Sequence, residues 1–95
     1  MSIFVVQYGY SADPIELNQV RPDHRAWLAE QLEAGNLLAS GPMVDRAGGL
    51  LIWRAESMED LSRLLDQDPF ELAGCIGERS IEQWDPVFGP FRDEQ

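Results

Sequence analysis

The chain has 95 residues, enough for one domain around one core. Seventeen acidic residues face seven arginines and no lysine, and the net charge of −10 excludes nucleic acid and anionic membranes as natural partners. The apolar runs fall short of the ~18 residues of a membrane span. Met1-Ser2-Ile3-Phe4 lacks the basic start of a secretion signal, and Cys75, alone, allows neither an internal disulfide nor a cysteine-based zinc site. A cytoplasmic protein is expected.

In chain order, Ile3 to Tyr10 is β-branched and aromatic and predicts a first strand. Ser11-Ala12-Asp13-Pro14 breaks it, and Pro14 to Val20 reads as either a short helical turn or a loop. Pro22, suited to the first helical position, predicts a helix running to about Ala34, with Gly35-Asn36 as its stop. Trp27, Leu28 and Leu32 form its apolar stripe. Leu37 to Met43 predicts a second strand, Asp45 to Gly49 a hairpin turn, and Leu50 to Ala55 a third strand. Ser57 caps a second helix with Asp60 three residues on, and Leu61, Leu64 and Leu65 supply its buried face. Pro69 to Gly74 reads as a short helical turn and Ser80 to Val87 as the last strand.

The order β-α-β-β-α-β predicts the ferredoxin-like α+β arrangement: a four-stranded antiparallel sheet with the helices on one face. Ile3-Phe4-Val5-Val6 and Leu50-Leu51-Ile52-Trp53 are continuous apolar runs, which strands show when both sheet faces are covered. Helices cover one face. A second copy of the chain is the simplest cover for the other, so a homodimer is expected.

His24 is the only histidine, and histidine titrates nearest neutral pH. With an aspartate on one ring nitrogen, the other is free to move a proton on a substrate, and Asp68 in Asp68-Pro69-Phe70 is a candidate partner. Blander readings stand beside this one. His24 reads also as a hydrogen-bonded residue at the core edge, and an aspartate directly before proline is an ordinary helix N-cap. Ser40-Gly41-Pro42 ends a strand, either as a polar, close-approach contact to a ligand or as a kink or bulge. Tyr8, Trp27, Trp53 and Trp84 suit core or interface packing better than a pocket wall.

The residues also carry a resemblance. The N-terminal strand, Arg21-Pro22-Asp23-His24, Gly35, Ser40-Gly41-Pro42, Gly48-Gly49, Asp68-Pro69-Phe70, Ala73-Gly74 and Trp84 stand in the order and spacing of the YciI-like (YCII-related) family. The resemblance covers nearly the whole chain as one domain, 1–95, with the segment from about residue 89 peripheral and without a motif. It implies a dimeric α+β barrel and a histidine–aspartate pair in a pocket between helix and sheet, here His24 and Asp68.

Other chemistries find little support. One histidine and no clustered cysteines make a poor metal site, and Gly48-Gly49 lacks the helix and the Lys-Ser/Thr of a phosphate loop. No dinucleotide fingerprint is present, so no cofactor is expected. The leading reading is a small-molecule enzyme using His24 and Asp68 for acid/base chemistry of lyase, isomerase or hydrolase type, with Ser40, Gly41 and Pro42 beside the substrate. The alternative is a non-catalytic dimeric module binding a small ligand or a partner.

Overall fold

In the computed structural model, which describes residues 1–95, seven elements follow one another: β1 (Ser2–Tyr10), α1 (Pro14–Glu33), β2 (Leu37–Pro42), β3 (Gly48–Ala55), α2 (Met58–Leu65), α3 (Pro69–Leu72) and β4 (Ile76–Trp84). A last 3₁₀ turn covers Arg92–Glu94. The strands form one sheet in the order β2-β3-β1-β4, and every neighbouring pair is antiparallel. The fold is the expected α+β sheet. No helix is long and apolar enough to cross a membrane.

Alternation along β1 and β3 sets the layers. Phe4, Val6 and Tyr8 point one way and pair in register with Trp53, Leu51 and Gly49. On that face they form the main core with Leu37, Leu61 and Leu65, and Trp27 and Leu28 of α1 pack against it. Both longer helices therefore cover the same side of the sheet. A smaller cluster of Leu17, Phe70 and Cys75 joins α1, α3 and the start of β4. Only 17 of the 95 residues are buried, so each core side chain, at roughly 1.5–3 kcal/mol, carries a large share of the stability.

The opposite face carries Val5, Leu50 and Ile52, all half-buried, beside Gln7 and Ser80. The last residues of the chain return to one end of this face. Trp84 and Arg54 are the cross-strand partners of Ile3, and Phe91 meets Trp84 at 6.4 Å between ring centroids while Glu94 pairs with Arg54 at 3.2 Å. Ile3 is fully buried.

Two element boundaries differ from the sequence expectation. Pro22 does not start the first helix; it lies inside α1, which begins eight residues earlier at Pro14. Asp13 is the N-cap, its Oδ1 accepting from the Glu16 amide at 2.9 Å, and Pro14 fills the first helical position. Residues 14–20, ambiguous in sequence, are thus helical and bring Leu17 into the core. The last strand runs from Ile76 to Trp84, not from Ser80 to Val87. Gly77-Glu78-Arg79 carry little strand signal because β4 is an edge strand with a mostly exposed surface, yet its backbone completes the ladder with β1. Gly35 ends α1 at φ +83°, the left-handed conformation that glycine adopts without strain.

Candidate active site

Asp68 is built into the site by a local rule of helix starts. Pro69 occupies the first turn of α3, and the Asp68 side chain caps it, Oδ1 accepting from the Phe70 amide at 2.9 Å. The same oxygen lies 2.7 Å from Nδ1 of His24, and Oδ2 accepts from the Tyr8 hydroxyl at 3.0 Å. Capping and pairing with histidine, alternatives in the sequence, are carried out by one carboxyl group. Asp68 is fully buried and serves only as an acceptor. A buried polar side chain with all its neighbours donating is satisfied and held in place.

His24 comes from the middle of α1, not its first turn. Its ring stacks on Phe70 with centroids 4.0 Å apart and planes 17° apart, and Tyr10 meets Phe70 edge-on at 5.3 Å. Two neighbouring constraints therefore fix the imidazole: Phe70 sets its plane and Asp68 its rotation. With Asp68 accepting, Nδ1 carries the proton, and in the neutral ring Nε2 is left with the free lone pair.

A cavity of about 790 Å³ lies between α1 and the sheet, within the range of small-molecule sites. His24 lines it and Asp68 does not, so the imidazole stands between the buried carboxyl group and the open space. Ser40, Gly41 and Pro42 line the same cavity from the end of β2. They continue the regular ladder to Leu51, Leu50 and Gly49, and the bulge lies one step earlier, between Leu37 and Ala39. The bulge therefore falls outside Ser40-Gly41-Pro42, which line the cavity as a regular strand end. Leu28, Leu51 and Phe70 give the cavity its apolar wall.

Tyr8, Tyr10, Arg21 and Arg25 also line the cavity; Tyr8, weighed in the sequence as a pocket wall and read rather as core or interface packing, does both, and the other three were not singled out as site residues. For Tyr8 the signal was a hydroxyl at an inward position of β1, alternating with Phe4 and Val6. Burial, with the Asp68 charge and hydrogen bond behind it, drives the Tyr8 phenol far above its ordinary value. Burial also raises Tyr10, against the opposing charges of Arg21 and Arg46. Gly49 makes room for that second phenol: a Cβ there would sit 3.0 Å from the Tyr10 hydroxyl. Cys75 is buried, and burial together with Glu16 and Asp68 pushes its thiol up, which disfavours the thiolate.

The YCII-related domain profile matches residues 1–85. The chain belongs to the YCII-related domain family. No curated protein matches it by sequence. Among solved structures, 5-chloro-2-hydroxyhydroquinone dehydrochlorinase from Burkholderia phenoliruptrix AC1100, in complex with 2,5-dihydroxybenzoquinone, is similar at TM-score 0.67 and 24% identity, over 86% of this chain and 92% of that one. Muconolactone isomerase is similar at TM-score 0.68 and 15% identity over 86% of each chain. An antibiotic biosynthesis monooxygenase matches at TM-score 0.56 and 15% identity, over 90% of this chain and 97% of that one. At such identities these likenesses establish the fold alone.

Proposed function

We propose that this YCII-related protein is an enzyme that moves a proton on a small organic molecule without a cofactor, with His24 as the acid/base and Asp68 as the residue that orients it. The observation that carries the proposal is the 2.7 Å contact between His24 Nδ1 and Asp68 Oδ1 on the wall of a small-molecule cavity. Nε2 takes a proton from a substrate carbon or from a water molecule, the imidazolium that forms faces the Asp68 carboxyl group, and the proton returns to the product. Lyase, isomerase and hydrolase steps share this cycle. Ser40, Gly41 and Pro42 contact the substrate from β2, Ser40 through its hydroxyl. The similar folds that carry dehydrochlorinase and isomerase names agree with this class, and they do so by analogy of fold.

The enzyme works as a homodimer in this reading. Val5, Leu50 and Ile52 make an apolar strip on the sheet face that no helix covers. A second copy packed there buries it.

The chemistry is testable before the substrate is known. Small carbon acids, each with a proton beside a carbonyl, are incubated with the protein in heavy water, and loss of their C–H signals is followed by proton NMR. The wild type accelerates exchange in at least one of them and His24→Asn does not. Equal exchange in both proteins, across the set, rejects the proton-transfer reading and leaves a binding module.

A further inference from the structure

The charge of the cavity runs against the charge of the molecule. The chain has seventeen acidic residues, yet no aspartate or glutamate lines the cavity, while Arg21 and Arg25 both do. These arginines stand four residues apart on α1, on one flank of the helix, with His24 between them. Of the other five arginines, three are ion-paired, Arg54 with Glu94, Arg63 with Asp60, and Arg79 with Asp66 and Glu71, and Arg46 bonds to Gln7 and the Tyr8 carbonyl; Arg92, on the last turn, has no ion pair either, but it does not line the cavity. Arg21 and Arg25 have no ion-pair partner, and the Arg21 guanidinium bonds only to the neutral Asn18 side chain. In so acidic a chain, two arginines one helical turn apart without a carboxylate partner, beside a hollow that no carboxylate lines, make this part of the cavity favourable to an anion. Arg21 is half-buried and shares the cavity wall with Tyr10, and its charge opposes the rise of the Tyr10 phenol.

The rest of the lining gives the shape of the ligand. Leu28, Leu51 and Phe70 offer apolar contact, and His24 meets the same space. Resting on the reading of this cavity as the substrate site, we propose that its substrate is a small organic carboxylate, bound with its acid group at Arg21 and Arg25 and its apolar body against Leu28, Leu51 and Phe70. The planar fork of an arginine suits a carboxylate, and two of them leave the opposite end of the molecule directed toward His24. The two arginines hold the substrate; His24 does the chemistry. The negative surface around the cavity then makes recognition local, because an anion gains attraction only once it reaches the two guanidiniums.

The test is a binding comparison between pairs of compounds that differ only in charge. A panel of aryl and cycloalkyl carboxylates, benzoate among them, is titrated into the full-length protein beside the matching primary amides, and binding is read from the NMR shifts of the His24 ring and the Leu28 and Leu51 methyls. The proposal expects saturable binding of carboxylates about tenfold or more tighter than of their amides, lost by about the same factor in Arg21→Gln/Arg25→Gln and weakened by salt. Arg92→Gln, on the far 3₁₀ turn, leaves it unchanged. Amides binding as well as acids, an Arg21→Gln/Arg25→Gln protein binding carboxylates normally, or no carboxylate binding at millimolar concentration each overturns it. His24→Asn separates the two proposals. Carboxylates that bind this variant as they bind the wild type, with no proton exchange lost, leave the anion site standing and remove the acid/base role. Exchange that depends on His24 but acts on neutral compounds does the reverse.

Discussion

Asp68 concentrates three duties in one buried side chain: it caps α3, holds Tyr8 and orients His24. Removing it and neutralising it should therefore differ. Asp68→Ala strands a buried hydroxyl and a buried ring N–H and loses the cap, and it should destabilise the fold by about 3 kcal/mol or more in chemical denaturation. Asp68→Asn keeps an acceptor for the Phe70 amide, caps almost as well, and should cost about 1 kcal/mol while lowering His24-dependent proton exchange. Equal losses of stability in both variants would contradict the three-donor geometry. The tyrosines give a pH test. Tyr8 and Tyr10, the only tyrosines, both have phenols raised by burial. A phenol raised in the folded state keeps its proton after the unfolded chain has lost its own. The unfolded chain then binds fewer protons above about pH 10, so this contribution is complete below that pH and falls as pH climbs toward the folded-state values. The Tyr8 phenolate should form only together with unfolding, so folded protein should show at most the absorbance of one phenolate; two phenolates near pH 10 in protein that is still folded would show that Tyr8 is open to water.

At the scale of elements, the first three strands were legible because β1 and β3 carry continuous β-branched, aromatic and apolar runs bounded by turn residues, and α2 because Ser57 caps it, accepting from the Asp60 amide at 3.1 Å. The start of α1 was not. Asp13-Pro14 and Arg21-Pro22 are both credible helix starts, and sequence has no means to show that the second is tolerated inside a helix already begun. Likewise β4 was placed four residues late because an edge strand of Glu78, Arg79 and Ser80 carries little apolar signal. The site was legible in part. His24, Asp68 and Ser40-Gly41-Pro42 stand out as motifs, whereas Tyr8, Arg21 and Arg25 reach the cavity only through the fold. Pro22 withholds an amide from α1, and Pro22→Ala restores it. That change should raise stability by about 1–3 kcal/mol in denaturant unfolding. A loss of stability would mean that packing of the ring outweighs the missing hydrogen bond. Arg79, bonded to Asp66, Glu71 and Ser62, ties β4 to the corner that presents Asp68.

For the molecule as a whole, the uncovered sheet face decides the assembly. Its strip of Val5, Leu50 and Ile52 lies on a chain of charge −10, so in the proposed dimer like copies repel at a distance and apolar contact must supply the association. A stable dimer through this face buries roughly 1,200 Å² or more in total. Sedimentation should show a dimer at micromolar concentration that tightens with salt, and Ile52→Arg, which keeps the helix-side core intact, should give a folded monomer. A wild-type monomer under those conditions would leave the continuous apolar runs without their proposed partner. The central claim, that Asp68 holds the His24 ring so that Nε2 serves the cavity, has a direct reading because the chain has one histidine. Long-range proton–nitrogen correlation of that ring, in its neutral form, should place the proton on Nδ1 and move the Nε2 resonance when a cavity ligand binds. A neutral ring with its proton on Nε2, or an Nε2 resonance indifferent to every ligand that fills the cavity, would contradict it.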